Sequence, residues 1–174
     1  QFACLLAMRE EGGVGVSGVV TDIISQVRKN GDSALLEYTA KFDRFAATTE
    51  NIIVSKQEIA EALALTSPEL MKSLKIAAAR IRDYSLRQMP ADLDYVDEGG
   101  TRLGHRWTPL DSAGLYVPGG LASYPSSVLM NAVPAKVAGV KRLVAVVPAP
   151  EWKLSSVVLA AAHVAGIDEI YKVG

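Results

Sequence analysis

One cysteine and two histidines are all this sequence has of the side chains most used for metal ligation and nucleophilic catalysis. Cys4, being alone, excludes an internal disulfide and fits a reducing compartment, and it has no base beside it to mark a catalytic thiolate. His105 and His163 lie far apart and match no metal-ligand spacing. Neither G-x-G-x-x-G nor G-x-x-x-x-G-K-[ST] occurs, so the two commonest phosphate-cradling loops are missing. Charge of one sign is missing as well. Eighteen Lys and Arg stand against 19 Asp and Glu for a net −1, which argues against an electrostatic nucleic-acid binder. No apolar run reaches the length of a membrane span. Phe2–Met8 lacks a basic leader and a small-residue cleavage site, so it is not read as a signal peptide. Repeats beyond a βα alternation and low-complexity tracts are absent too.

What is present is apolar enough to fold. Hydrophobic residues make up 49% of the 174, which allows a sizeable core in one large domain or one and a half. The most informative stretch is Ala113–Val147. Ala113-Gly114-Leu115-Tyr116-Val117 is an apolar run that ends in Pro118-Gly119-Gly120. Ser126–Ala138 has helical character and stops at Gly139, and Leu143–Val147 is a second β-branched run. Strand, loop, helix, glycine stop and strand predict a βαβ unit with a parallel return. Pro148-Ala149-Pro150 breaks the chain, residues 154–165 predict a helix capped at Gly166, and Ile167–Val173 predicts a third strand. The result is βαβαβ, half of a doubly wound sheet. Ligands of such sheets sit off the carboxyl ends of the strands. Gly174 falls where a third ligand-facing loop would begin, so the chain is read as a fragment.

The amino-terminal half predicts helices. Gly12, Gly13 and Gly15 suggest a flexible joint before Ser17 as N-cap, and Val19, Val20, Ile23, Ile24 and Val27 recur at helical spacing up to Asn30-Gly31. Asp32 opens a second helix with Ala34, Leu35, Tyr38 and Phe42 on its apolar face, which makes an αα-hairpin. Ile52-Ile53-Val54 reads as a short extended piece. Ser55 and Glu58 have capping-box spacing before a helix carrying Ile59, Ala62 and Leu63. Ser67-Pro68 starts a long helix on Leu70, Leu74, Ala77, Ala78, Ile81 and Tyr84, whose Lys and Arg residues read as a solvated face. Leu93–Val96 and Thr101–Trp107 around Gly99-Gly100 predict a hairpin. The boundaries read from this are 1–92 helical, 93–112 hairpin linker and 113–174 sheet half-domain.

Few residues could carry chemistry. Pro118-Gly119-Gly120 either lets a ligand approach the backbone closely or merely turns the chain. Tyr116, at the sheet's carboxyl edge, either packs in the core or offers a ring and a hydroxyl to a flat heterocycle. Ser126 or Ser127 is an N-cap candidate. Pro134 lies inside its helix, where it removes a backbone hydrogen bond. Lys136, Lys141 and Arg142 complement that helix's carboxyl end rather than clamp a phosphate. His163 reads as a half-buried core histidine, and Asp92, Asp94, Asp97 and Glu98 as solvated turn residues. Pattern alone supports a nucleotide-sized site on an α/β sheet, with no catalytic group in view.

Two strings are more specific. Gly114-Leu115-Tyr116-Val117-Pro118-Gly119-Gly120 and Tyr124-Pro125-Ser126-Ser127-Val128-Leu129-Met130-Asn131-Ala132, continued by Pro134-Ala135-Lys136-Val137-Ala138-Gly139-Val140, closely resemble the histidinol dehydrogenase family. Val27–Leu35, Tyr38–Asp43 and Ile170–Gly174 resemble other parts of its amino-terminal portion. The resemblance implies a fold related to the aldehyde dehydrogenases: amino-terminal helices and a β-hairpin leading into a Rossmann-like βαβαβ parallel sheet, incomplete at the carboxyl end. It implies NAD- and zinc-dependent oxidation of L-histidinol through the aldehyde to L-histidine in histidine biosynthesis, by a cytoplasmic homodimer. By position Tyr116 matches the family's NAD-contacting tyrosine. Gly119 and Gly120 follow in the same loop and are assigned to the cofactor by their place in it. The family's zinc ligands and acid/base pair match nothing in this chain, so no catalytic or metal residue is assigned and the chain alone is expected to be inactive. Two other readings stay open: an aldehyde-dehydrogenase-like enzyme with a cysteine nucleophile elsewhere, and a non-catalytic nucleotide-binding or dimerisation module.

Overall fold

The structure, a computed structural model, describes residues 2–118 and 124–174, with the backbone alone for residues 2–15. Its elements are α1 (Phe2–Asn30), α2 (Asp32–Asp43), α3 (Lys56–Leu65), α4 (Pro68–Arg87), β1 (Leu93–Val96), β2 (Arg102–His105), β3 (Ser112–Tyr116), α5 (Pro125–Val137), β4 (Arg142–Val146), α6 (Ser156–Ala165) and β5 (Glu169–Tyr171). A short 3-10 turn at Pro150–Trp152 lies between β4 and α6.

Local start signals become hydrogen bonds. The Ser55 hydroxyl accepts the Glu58 N–H at 3.1 Å while Glu58 Oε2 accepts the Ser55 N–H at 2.8 Å, a complete capping box on α3. Ser67 caps α4 with Pro68 in the first turn. Three expectations are corrected. The glycines near residue 13 do not make a joint, and Ser17 is no N-cap: α1 is continuous from Phe2, and the Ser17 carbonyl accepts the Thr21 hydroxyl one turn on. A helical glycine costs only about 1 kcal/mol, which the surrounding ladder tolerates. The α5 start is set by Pro125 after Tyr124, so Ser126 and Ser127 lie inside the helix rather than cap it. On α4 the inward stripe runs Leu70, Leu74, Ala77, Ala78, Ile81 and then Ser85, four residues on, leaving Tyr84 64% exposed. Ser85 is tolerated there because its hydroxyl donates to the Ile81 carbonyl.

The hairpin β1–β2 pairs Leu93 with His105 and Val96 with Arg102, and is exposed on both faces. The βαβαβ unit is present as a parallel sheet in the order β3-β4-β5. Ala113 and Leu115, Leu143 and Ala145, and Ile170 point to one face. There α5 and α6 cover them with Val128, Leu129, Val133, Leu159 and Ala162. Helices α3 and α4 pack outside α5 and α6, so Val54, Ala62 and Leu74 join the same core. Gly166, at φ 76°, ends α6 in the left-handed cap that turns the chain into β5. The outer edge of β5 is not open. Ile52–Val54 lies antiparallel along it, Val54 N–H donating to Ile170 O at 2.8 Å and Lys172 N–H to Ile52 O at 2.7 Å.

Candidate functional site

The helices cover one face of the sheet, so its alternate residues meet at the other. In register, Tyr116 stands beside Val146 and Val146 beside Tyr171, a row across all three strands at their carboxyl ends. The row below it is Gly114, Val144 and Glu169. Tyr116 is 59% exposed, whereas the next residue, Val117, is buried on the core side. This alternation follows from the two-residue strand period: with Leu115 inward, Tyr116 must face out. The Tyr116 ring is therefore a rim residue and not core packing. Gly119 and Gly120 lie outside the described residues.

The other tyrosine of the row is committed. Tyr171 donates its hydroxyl to Glu169 Oε2 at 2.9 Å, and Glu169 takes a two-pronged hydrogen bond from Arg142 at 2.8 and 2.9 Å. Arg142, then Tyr171, holds the Glu169 carboxyl below its usual range; Glu169, then burial, pushes the Tyr171 phenol up. Tyr171 thus presents a neutral, fixed ring, and Tyr116 keeps a phenol with no partner among the described residues.

Beneath this edge the amino-terminal region reaches in. Lys172, directly after β5, is 2% exposed. Its Nζ lies 2.7 Å from Glu58 Oε1 and 3.0 Å from the Asn51 carbonyl, and 5.4 Å from the Trp152 ring centroid. Burial works against the Glu58 charge, but Lys172 and then Ser55 outweigh it and hold the carboxyl below its usual range. Trp152 packs edge-on against the fully buried Phe45, 3.9 Å between centroids. Glu151 and Trp152 have φ of 54° and 66°, a left-handed conformation that costs roughly 1–3 kcal/mol per residue and persists only where neighbours hold it. Phe45 and Lys172 do so here.

The remaining candidates are structural. Lys136 pairs with Asp168 at 2.7 Å, so it is engaged and clamps no phosphate. His163 is exposed, correcting its assignment to the core: α6 turns Ala160, Ala161 and Ala162 inward and leaves 163 outside. His105 packs edge-on with Trp107, and Asp94 forms a two-pronged pair with Arg102 at 2.8 and 2.6 Å. Asp92 and Asp97 accept backbone N–H groups of Trp107 and Thr101. Among the described residues, no three His, Cys, Asp or Glu side chains gather as a metal ion would require. The described residues do not fit a zinc site.

Comparison with known proteins decides the family. The histidinol dehydrogenase family profile matches residues 7–174. The chain belongs to the histidinol dehydrogenase family. It is 54% identical to the histidinol dehydrogenase of Rhodospirillum rubrum over 173 residues, 99% of this chain and 40% of that protein. The histidinol dehydrogenase of Gluconobacter oxydans is 53% identical with the same coverage. The crystal structure of histidinol dehydrogenase from Elizabethkingia anophelis superposes with a TM-score of 0.86 at 32% identity, over 91% of this chain and 36% of that one. The chain thus spans about 40% of the length of the relatives it matches. No helix among the described residues is long and apolar enough to cross a membrane.

Lys172, Glu58, Asn51, Phe45 and Trp152 were not legible as a cluster from sequence. The one signal was a lysine placed directly after β5, where a buried end requires a counter-charge.

Proposed function

We propose that this chain is the amino-terminal part of an NAD-dependent L-histidinol dehydrogenase, and that Tyr116 is a contact for its dinucleotide. The single observation carrying the site assignment is the row Tyr116–Val146–Tyr171 at the carboxyl ends of a parallel sheet, with Tyr116 exposed and its hydroxyl unpaired among the described residues. Ligands of parallel sheets sit at this edge because strand ends and loops converge there without side chains filling the space. Tyr116 would pack its ring on a flat heterocycle and offer its hydroxyl as a donor. Gly119 and Gly120 would let the backbone approach closely. When bound, NAD⁺ supplies the hydride acceptor.

In this reading the whole protein oxidises L-histidinol through L-histidinal to L-histidine, as a cytoplasmic homodimer. Its zinc ligands and proton-transfer groups come from polypeptide other than this chain. The segments 1–92, 93–112 and 113–174 serve as helical support, hairpin linker and cofactor half-domain. What supports the substrate assignment is identity above 50% to proteins named for it. The test is NADH formation followed on adding L-histidinol. The full-length protein forms NADH and residues 1–174 alone do not. A full-length protein inert with histidinol and NAD⁺, or a chain of residues 1–174 that is active, would overturn the reading.

A further inference from the structure

Asp43 Oδ2 is buried and has no hydrogen-bond partner among the described residues. A buried carboxylate oxygen left unpaired is costly, so its retention calls for a donor. The placement is adverse in a second way. Asp43 is the last residue of α2, where the helix dipole favours cations and disfavours a carboxylate. Both oxygens press on the backbone at the carboxyl end of β5: a Cβ added to Gly174 would lie 2.9 Å from Oδ1, 3.0 Å from Oδ2 and 3.1 Å from Pro148 Cβ. A side chain at position 174 would have to push the carboxylate aside. Lys172 is engaged by Glu58 and the Asn51 carbonyl, and the exposed Arg44 reaches Glu151 only at 4.0 Å. Gly174 is described backbone that lies against this carboxylate, so polypeptide following it would bring N–H donors within reach.

We propose that Asp43 is a positioning residue whose carboxylate accepts backbone N–H groups of the polypeptide that follows Gly174, setting the loop at the carboxyl end of β5. This rests on the reading above, that the chain continues into a longer dehydrogenase. Two carboxylate oxygens suit two successive N–H donors. Both ends of the contact are fixed independently. Phe45, two residues after Asp43, is locked against Trp152, and Lys172, two residues before Gly174, is locked to Glu58.

The test is hydrogen exchange by mass spectrometry on the full-length protein without ligand, comparing wild type, Asp43→Leu, Asp43→Asn and Gly174→Ala. In the wild type the first amides after Gly174 are protected. Asp43→Leu speeds their exchange tenfold or more while β4 amides keep their rates. Asp43→Asn, which retains one acceptor, gives a smaller rise and decides the matter if the leucine variant fails to fold. Gly174→Ala gives the same local signature by displacing the carboxylate. Unchanged local exchange, amides already unprotected in the wild type, or a rise spread equally over α2, β4 and β5 would overturn the proposal. The readout needs neither NAD⁺ nor histidinol, so its failure leaves the proposed activity standing and the reverse holds too.

Discussion

Glu58→Gln should cost more stability than Lys172→Met, although the two residues form one ion pair. The pair is lopsided: the Lys172 side chain is 3% exposed and that of Glu58 37%. Removing the carboxylate charge strands an ammonium group inside the protein with only the Asn51 carbonyl and the Trp152 ring beside it. Breaking a buried pair from one side costs about 3–5 kcal/mol; the water already reaching Glu58 reduces this to roughly 2–3 kcal/mol. Glutamine still accepts the Ser55 N–H, so the α3 cap survives and does not confuse the result. Removing the lysine instead lets the Glu58 carboxylate turn to solvent while methionine fills the space of the aliphatic stem. That change should cost only about 1 kcal/mol. The double variant should recover about 1–2 kcal/mol relative to the sum. Urea unfolding with unchanged m-values measures all three. Lys172→Met proving as damaging as Glu58→Gln, or a coupling below about 0.5 kcal/mol, would refute the argument from unequal burial.

Other consequences follow from the same contacts. Because the folded Glu58 carboxyl sits below its usual range, its stabilisation is present above the unfolded pKa near 4.3 and fades as pH falls through the folded value; acid titration of Glu58→Gln should lack that part of the slope. Asp168, held below its usual range by Lys136 and then the Leu143 N–H, follows the same sign; Asp168→Asn should cost about 1 kcal/mol at pH 7 by urea unfolding and less near pH 3. Phe45→Ala, at a side chain with no exposure, should cost about 3–5 kcal/mol and free the Trp152 ring, seen as a shift in tryptophan emission. Gly104→Ala should unzip the β1–β2 hairpin, because its Cβ would collide with the Leu93 carbonyl; loss of hydrogen-exchange protection confined to residues 93–105 checks it.

The readable parts of this sequence were those governed by local rules. The capping box at Ser55 and Glu58, Pro68 in the first turn of α4, the Gly166 stop and the alternation that turns Tyr116 outward are each set within a few residues. The parts missed depend on distant chain. Ile52–Val54 reads as an isolated extended piece until β5 offers it an edge. Glu58 reads as a cap, and its second oxygen acquires a role only when Lys172 arrives from residues far downstream. Tyr84 and Ser85 differ by one step of helix phase, which tertiary contact with α5 decides. The candidate site was half legible. The tyrosine and its edge followed from strand spacing, whereas the buried lysine and unpaired carboxylate behind it had no periodicity to announce them.

Steady-state kinetics of the full-length protein, with NAD⁺ varied at saturating L-histidinol, compare wild type with Tyr116→Ala. A dinucleotide contact at the sheet's edge predicts histidinol-dependent NADH formation and a KM for NAD⁺ at least about tenfold higher in the variant, the loss of a stacking and hydrogen-bonding partner of roughly 1.4 kcal/mol. An unchanged KM for NAD⁺ in Tyr116→Ala, with the wild type active, would contradict it.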